Sequence, residues 1–383
     1  MRRQCIPRLA LWARLLLVLV LLGLAPALRA SCYGGGYHRV VPLGWGDYSI
    51  GEDAPIGTVF YRQLVHGDLP YSISCNADSV HSGRMQVNFR VDEKNWSANG
   101  ELIASPVAGV GVRFRTMRGD TFGSMTNHAT LTYTRDNPST IGPEETSFIV
   151  EFIKTGPVPV GGSFSGSNLP MVIIEAATGG ANDWSPVTEI EFIGDMHLMI
   201  HAGTCQVAND RYTYTFPKQL GADFPALGAT SEWLAAPVTL HRCSAFTRSH
   251  RNNGDYAEST ASDPNAILAE VRDVHTTPSR VKLTLSPQTA VLDSNNGVIA
   301  IEQGEDAAIG LAIQLGWNNG SGSYQPLALA NGVAELLAEP SPPVGAYDST
   351  DFVYRLAARL IRTGAALKGG KIRAQLTYTV TYL

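Results

Sequence analysis

The chain has 383 residues, 44% hydrophobic and 16% charged, with 38 Gly, 22 Pro and five Cys. That hydrophobic fraction excludes a disordered chain, and glycine without a three-residue period excludes collagen. The formal charge is -5; residues 1–30 hold five Arg and no acid, so the remainder has 24 bases against 34 acids and lacks the basic excess that a nucleic-acid partner requires.

Residues 1–30 read as a secretory signal peptide. Arg2, Arg3, Arg8 and Arg14 form a basic start, and Leu15 to Leu24 is an apolar run of ten. Such a run is too short for the roughly 20 residues that span a bilayer. Cleavage is expected after Ala27 or after Ala30. It removes Cys5 and leaves Cys32, Cys75, Cys205 and Cys243. An even number in an exported chain implies disulfides. Four cysteines permit three connectivities, and the wide gap between Cys75 and Cys205 favours Cys32 with Cys75 and Cys205 with Cys243. No C-x-x-C occurs, so no zinc site or other cofactor is expected.

Beyond the leader, apolar and polar residues alternate and turn residues recur every ten or so positions, the pattern of an all-β sandwich. Three turn-rich clusters in the first half set an aromatic ring beside carboxylate or amide groups: Trp45-Gly46-Asp47-Tyr48, Asn95-Trp96 with Asp92 and Glu93, and Asn182-Asp183-Trp184. A sugar site needs both kinds of group, a ring for the apolar face and fixed polar groups for the hydroxyls. The competing reading places the same Trp side chains in the core or at sheet edges. Arg113 and Arg115 point the same way from one strand as a solvated face, and Arg118-Gly119-Asp120 reads as a solvated turn. His197 and His201 lie on a strand, where four residues span roughly 13 Å, too far to share one ion.

A boundary near His201-Ala202-Gly203-Thr204 divides the mature chain into 31–201 and 202–383, two sandwiches with one cysteine pair each. Segment 244–280 is polar and irregular and is expected to form a mobile loop, with a short helix over 264–271 capped by Asp263. Alternating strands are expected at Ile309 to Leu315 and at Phe352 to Leu360. In the last segment Ile372, Ala374, Leu376, Tyr378, Val380 and Tyr382 face one way, while Arg373, Gln375, Thr377, Thr379 and Thr381 face the other.

The second half carries a family likeness. Thr204-Cys205-Gln206-Val207, then TYTFPKQLGADFPALGATSEW and Pro237 to Cys243, resembles the opening of a chaperone-usher pilin domain. VKLTLSP, AAIGLAIQLGW and the terminal AQLTYTVTYL continue the resemblance in order over 203–383. The resemblance implies an immunoglobulin-like sandwich that lacks its last strand and receives one from a neighbouring chain. It makes Leu376, Tyr378, Val380, Tyr382 and the carboxylate of Leu383 the assembly strand. The partners implied are a periplasmic chaperone, an outer-membrane usher and an adjacent pilus subunit.

About 170 residues stand where rod subunits carry a short donor extension. The layout is therefore similar to the two-domain tip adhesins of type 1 and type 3 fimbriae. It implies a fimbrium-tip protein, exported through the periplasm, whose first domain binds a host glycan or matrix protein. The alternative is a minor structural subunit without a receptor. G-x-S-x-G, H-E-x-x-H, Walker and dinucleotide fingerprints are all absent from the sequence, and no enzyme activity is expected.

Overall fold

A computed structural model describes residues 32–383, apart from 45, 69, 76–83, 93–97, 100–101, 124–127, 135–139, 160–161, 179–183, 194–196, 208, 244–247, 267–269, 279, 319–321 and 339–349. The signal-peptide segment, Trp45, Glu93, Asn95, Trp96, Asn182 and Asp183 lie outside the described residues. Nearly all regular structure is strand. The expected all-β class is what the chain forms.

In the first half the strand Phe148–Lys154 is central. It pairs antiparallel with Val59–His66 on one side and with Val110–Thr116 on the other. A facing sheet runs in the order Ala129–Thr134, Arg84–Val91, Val172–Thr178, Ser185–Ile193, Tyr37–Pro42. Period-two alternation turns Val112, Phe114, Val150 and Phe152 of one sheet and Val87, Phe89, Ile174 and Ala176 of the other into a single core. The rings of Phe114, Phe122, Phe148 and Phe192 fill it in a chain with centroids 5.7, 6.1 and 6.3 Å apart. Burying each such side chain contributes roughly 1.5–3 kcal/mol.

The second half builds its own core around Leu240, Leu283, Leu285, Ile313, Leu315, Tyr354 and Leu360. The expected alternating run from Phe352 to Leu360 is broken at Arg355. Thr350–Tyr354 pairs with Val238–Cys243, whereas Leu356–Arg362 crosses to another sheet and pairs with Leu311–Trp317. Ala312 to Gly316 are all buried, so that strand is covered on both faces instead of alternating; Ile309 lies outside it and is half exposed. Cys205 and Cys243 form a disulfide closing 38 residues. In the chain-entropy account such a loop stabilises by roughly 3 to 4 kcal/mol. In the first half the antiparallel register sets Cys32 opposite Cys75, although their side chains are outside the described set.

Segment 244–280 corrects the expectation of a mobile loop. Arg248–Ser249 runs parallel beside Gly46–Gly51 and pairs on its other side with Thr277–Pro278. Tyr256–Thr260 runs parallel beside Val59–His66, and Arg272–His275 adds the next strand outward. Ala257 and Ala261 are fully buried in the first-half core. His250, also fully buried, sits 5.2 Å from the rings of both Tyr48 and Tyr61, and its Nδ1 accepts the Arg62 backbone N–H at 3.0 Å. Where a helix was expected, the described residues show only a turn, in which the Asp263 carboxylate accepts the Asn265 N–H at 2.9 Å. The first-half sheets are thus finished by chain from the second half.

Three outcomes follow. Peptide mapping without reduction is expected to return Cys205–Cys243 and Cys32–Cys75, and no bridge between the halves. Ala257→Asp places a charge without a partner in the shared core, and a charge there is costly to bury. Its thermal unfolding midpoint is expected to fall well below that of the parent, and a chain ending at 203 is expected to aggregate because two strand edges lose their cover.

Candidate functional site

The strand Leu376–Tyr382 lies at the margin of a three-stranded sheet, next to Val281–Pro287. Arg280 and Leu383 exchange two backbone hydrogen bonds, 3.0 and 2.9 Å, and the Gln288 N–H donates to Gln375 O at 2.9 Å. These bonds fix the phase of the antiparallel ladder: the odd residues from 375 to 383 face Val281–Pro287, and the even ones direct N–H and C=O outward. Leu376, Tyr378 and Val380 therefore present an edge with no backbone partner among the described residues. Their side chains are half-buried against the second-half core, while Thr377 and Thr379 are exposed. The sequence alternation is thus realised, with Leu376, Tyr378, Val380 and Tyr382 on the inner face.

Across the open edge runs the segment after Cys205, which meets the strand through side chains. The Tyr382 hydroxyl donates to Cys205 O at 2.8 Å and the Tyr378 hydroxyl to Asn209 O. The Tyr212 ring lies 6.0 Å from that of Tyr378. Burial raises the phenol pKa of both Tyr378 and Tyr382, so each remains a donor at neutral pH.

One end of this edge is closed by the first half. The outward N–H of Tyr382 donates to Asp53 Oδ2 at 3.0 Å. Gly51 lies so close to the strand that a Cβ there would sit 2.0 Å from Tyr382 O. The turn holding both residues is pinned from below by Lys154, which is 5% exposed and whose Nζ donates to Gly51 O at 3.0 Å and Glu52 O at 2.5 Å. Burial lowers the Lys154 pKa, opposed by the charges of Asp53 and Glu52.

The expected receptor residues are dispersed. Tyr48 is 1% exposed, its ring is enclosed by Tyr61 and His250, and its hydroxyl donates to Asp273 Oδ1 at 2.7 Å. A ring so enclosed has no face for a sugar, and we assign it to packing. Asp47 is half-buried on the same strand. Asp92 is half-buried just after Arg84–Val91, and its N–H donates to Met171 O at 2.9 Å. Trp184 is half-buried immediately before Ser185–Ile193.

Arg113 and Arg115 do not form a simple solvated face. The register sets Glu151 between Arg62 and Arg113 on three adjacent strands. The Glu151 side chain is 1% exposed. Arg62 Nε reaches its Oε1 at 2.9 Å, and Arg113 reaches its Oε2 with Nε at 2.8 Å and Nη2 at 2.6 Å. Arg115 Nη1 stands 3.5 Å from Oε1. Burial alone would raise the carboxyl pKa, but the bonds and charges of Arg113 and Arg62 outweigh it and hold the group below the usual carboxylate range. The signal in the sequence was a lone Glu inside the apolar strand FIVEFIK, opposite alternating Arg.

Two measurements check these arrangements. Gly51→Ala and Asp53→Asn are expected to speed amide exchange at Tyr382 without a comparable change at Leu283, in the core of the same sheet. A depressed carboxylate stabilises fully above its unfolded pKa, and that contribution is lost as pH falls through the folded value. The stability gap between the parent and Glu151→Gln is therefore expected to narrow in acid, below the usual carboxylate range, and to stay constant above it.

No family model matches the chain, and no curated protein matches it. Several solved structures are similar to it. The CupB6 tip adhesin from Pseudomonas aeruginosa is 15% identical, over 92% of this chain and 94% of that one, with a TM-score of 0.33. The receptor-binding domain of the plasmid-borne adhesin MrkD1P of Klebsiella pneumoniae is 15% identical, over 46% of this chain and 98% of that one, with a TM-score of 0.30. The P pilus rod subunit PapA is 17% identical, over 47% of this chain and 99% of that one, with a TM-score of 0.29.

Proposed function

We propose that the chain is a fimbrial adhesin of the chaperone-usher type, joined to its fibre by a strand that a neighbouring subunit lends to the open edge of Leu376–Tyr382. The observation that carries this reading is that edge: outward N–H and C=O groups on residues whose side chains are apolar and only half-buried. An unpaired edge of this kind templates addition of another chain. Strand addition supplies the missing backbone bonds, and alternate side chains of the donor complete the core. A periplasmic chaperone would cover the edge before assembly, and an usher would exchange it for the neighbouring subunit.

Receptor contact falls to the first half, 31–201, with the strands of 248–278 counted as part of it and the rest of 202–383 as the pilin half. Asp47 and Trp184 remain candidate contacts among the described residues. Trp45, Asn95, Trp96, Asn182 and Asp183 are candidates from sequence alone. The second reading, a minor structural subunit, shares the same edge and differs only in having no receptor.

The test uses the two faces of one strand. Tyr378→Asp and Val380→Asp put a charge toward the core and are expected to abolish both the periplasmic chaperone complex and surface display. Thr379→Asp lies on the exposed face and is expected to retain most of both. Equal loss from both faces, or no loss from either, would show that the strand is not the assembly edge.

A further inference from the structure

The cluster around Glu151 sets three guanidinium groups against one carboxylate. Arg62 directs Nη1 to the carbonyls of Asn252 and Asp255, at 3.1 and 3.2 Å, so its fork is committed within the fold. Arg113 uses Nε and Nη2 on Glu151, and Arg115 uses Nε on Gly119 O at 3.2 Å. Arg113 Nη1 and Arg115 Nη2 make no hydrogen bond among the described residues. The charge of the cluster is positive, and its unused donors belong to the two Arg side chains nearest the hairpin turn.

Those two side chains line a cavity, an open surface depression of about 690 Å³, together with Asp120, Thr121, His128 and Thr130. Its walls are hydroxyl, imidazole, carboxylate and guanidinium rather than apolar, which suits a polyhydroxylated ligand. The cavity is placed by the backbone: Gly119, at φ 98°, lets the chain turn back after Val110–Thr116, and the Thr116 N–H and Asp120 N–H bonds hold that turn closed. Glu151 holds the Arg113 guanidinium and Gly119 O holds Arg115 Nε before any ligand arrives, so part of their side-chain entropy is already lost.

We propose that this cavity binds a carboxylated saccharide, of the uronic or sialic class, with the sugar carboxylate on Arg113 and Arg115 and its hydroxyls on Asp120, Thr121, His128 and Thr130. A carboxylate has two oxygens to offer, one for Arg113 Nη1 and one for Arg115 Nη2, each as a charge-assisted bond. Asp120 in the wall disfavours a more highly charged group and accepts from a sugar hydroxyl. The proposal rests on the adhesin reading and names its ligand class.

The test titrates the full mature chain with sialyllactose, oligogalacturonate, neutral lactose and a sulfated carrageenan fragment, which carries no carboxylate, with thermal unfolding as the folding control. Binding of at least one carboxylated sugar, and of neither neutral lactose nor the sulfated fragment, is expected. Arg115→Gln, which leaves the Arg62 and Arg113 bonds to Glu151 in place, is expected to weaken it at least about tenfold. Thr130→Asp adds a negative wall charge and is expected to weaken it similarly. If both variants fold and bind as the parent does, or if neutral and carboxylated sugars bind alike, the proposal is overturned. Preference for the sulfated fragment overturns it too, in favour of a general anion site. Normal surface display without carboxylated-sugar binding sinks this proposal alone, and sugar binding without any surface display sinks the adhesin reading alone.

Discussion

The parallel pairing of Tyr256–Thr260 with Val59–His66 decides how the two halves relate. Without it the Val59–His66 strand would end the first-half sheet with a row of bare amides and carbonyls, and such groups must find partners or water. The second half supplies those partners from an excursion of its own chain, and His250 enters the first-half interior with them. The same excursion carries Asp273, which accepts the Tyr48 hydroxyl. The interior of the first half is therefore a joint product of two distant stretches of sequence.

An opposite arrangement holds at the terminal strand. One edge is laddered to Val281–Pro287; on the other, the Tyr382 N–H donates to the Asp53 carboxylate, and Leu376, Tyr378 and Val380 have no backbone partner among the described residues. A single molecule thus completes one of its sheets internally and leaves another open. Both are strand edges, and they differ in whether the chain itself brings the cover.

The terminal strand was legible because its signal is local. Six apolar residues alternate with Thr, Gln and Arg, and period two assigns their faces without knowledge of any neighbour. The excursion was not legible for the converse reason. Its inward residues are Ala257, Ser259 and Ala261, small side chains that fit beside an already crowded core and leave no hydrophobic alternation to read. Tyr48 misled because aromatic and acidic neighbours in a turn-rich stretch look alike whether the ring faces solvent or lies beneath a partner strand from another half. The arginines were seen to share a face, but their carboxylate lies across a strand 38 residues away from Arg113. Register of that kind is set by the tertiary fold, and single-strand periodicity does not contain it.

The excursion has a mechanical consequence. The backbone passes between the halves after Gly203, again between Cys243 and Arg248, and once more between Pro278 and Val281. A pull that separates the halves loads whatever backbone joins them. With a lone linker, that tension would concentrate on one flexible joint, free to bend and swivel. Three covalent crossings divide it, and they resist twisting as well as stretching. A rotation of one half against the other therefore has to bend three stretches of backbone at once.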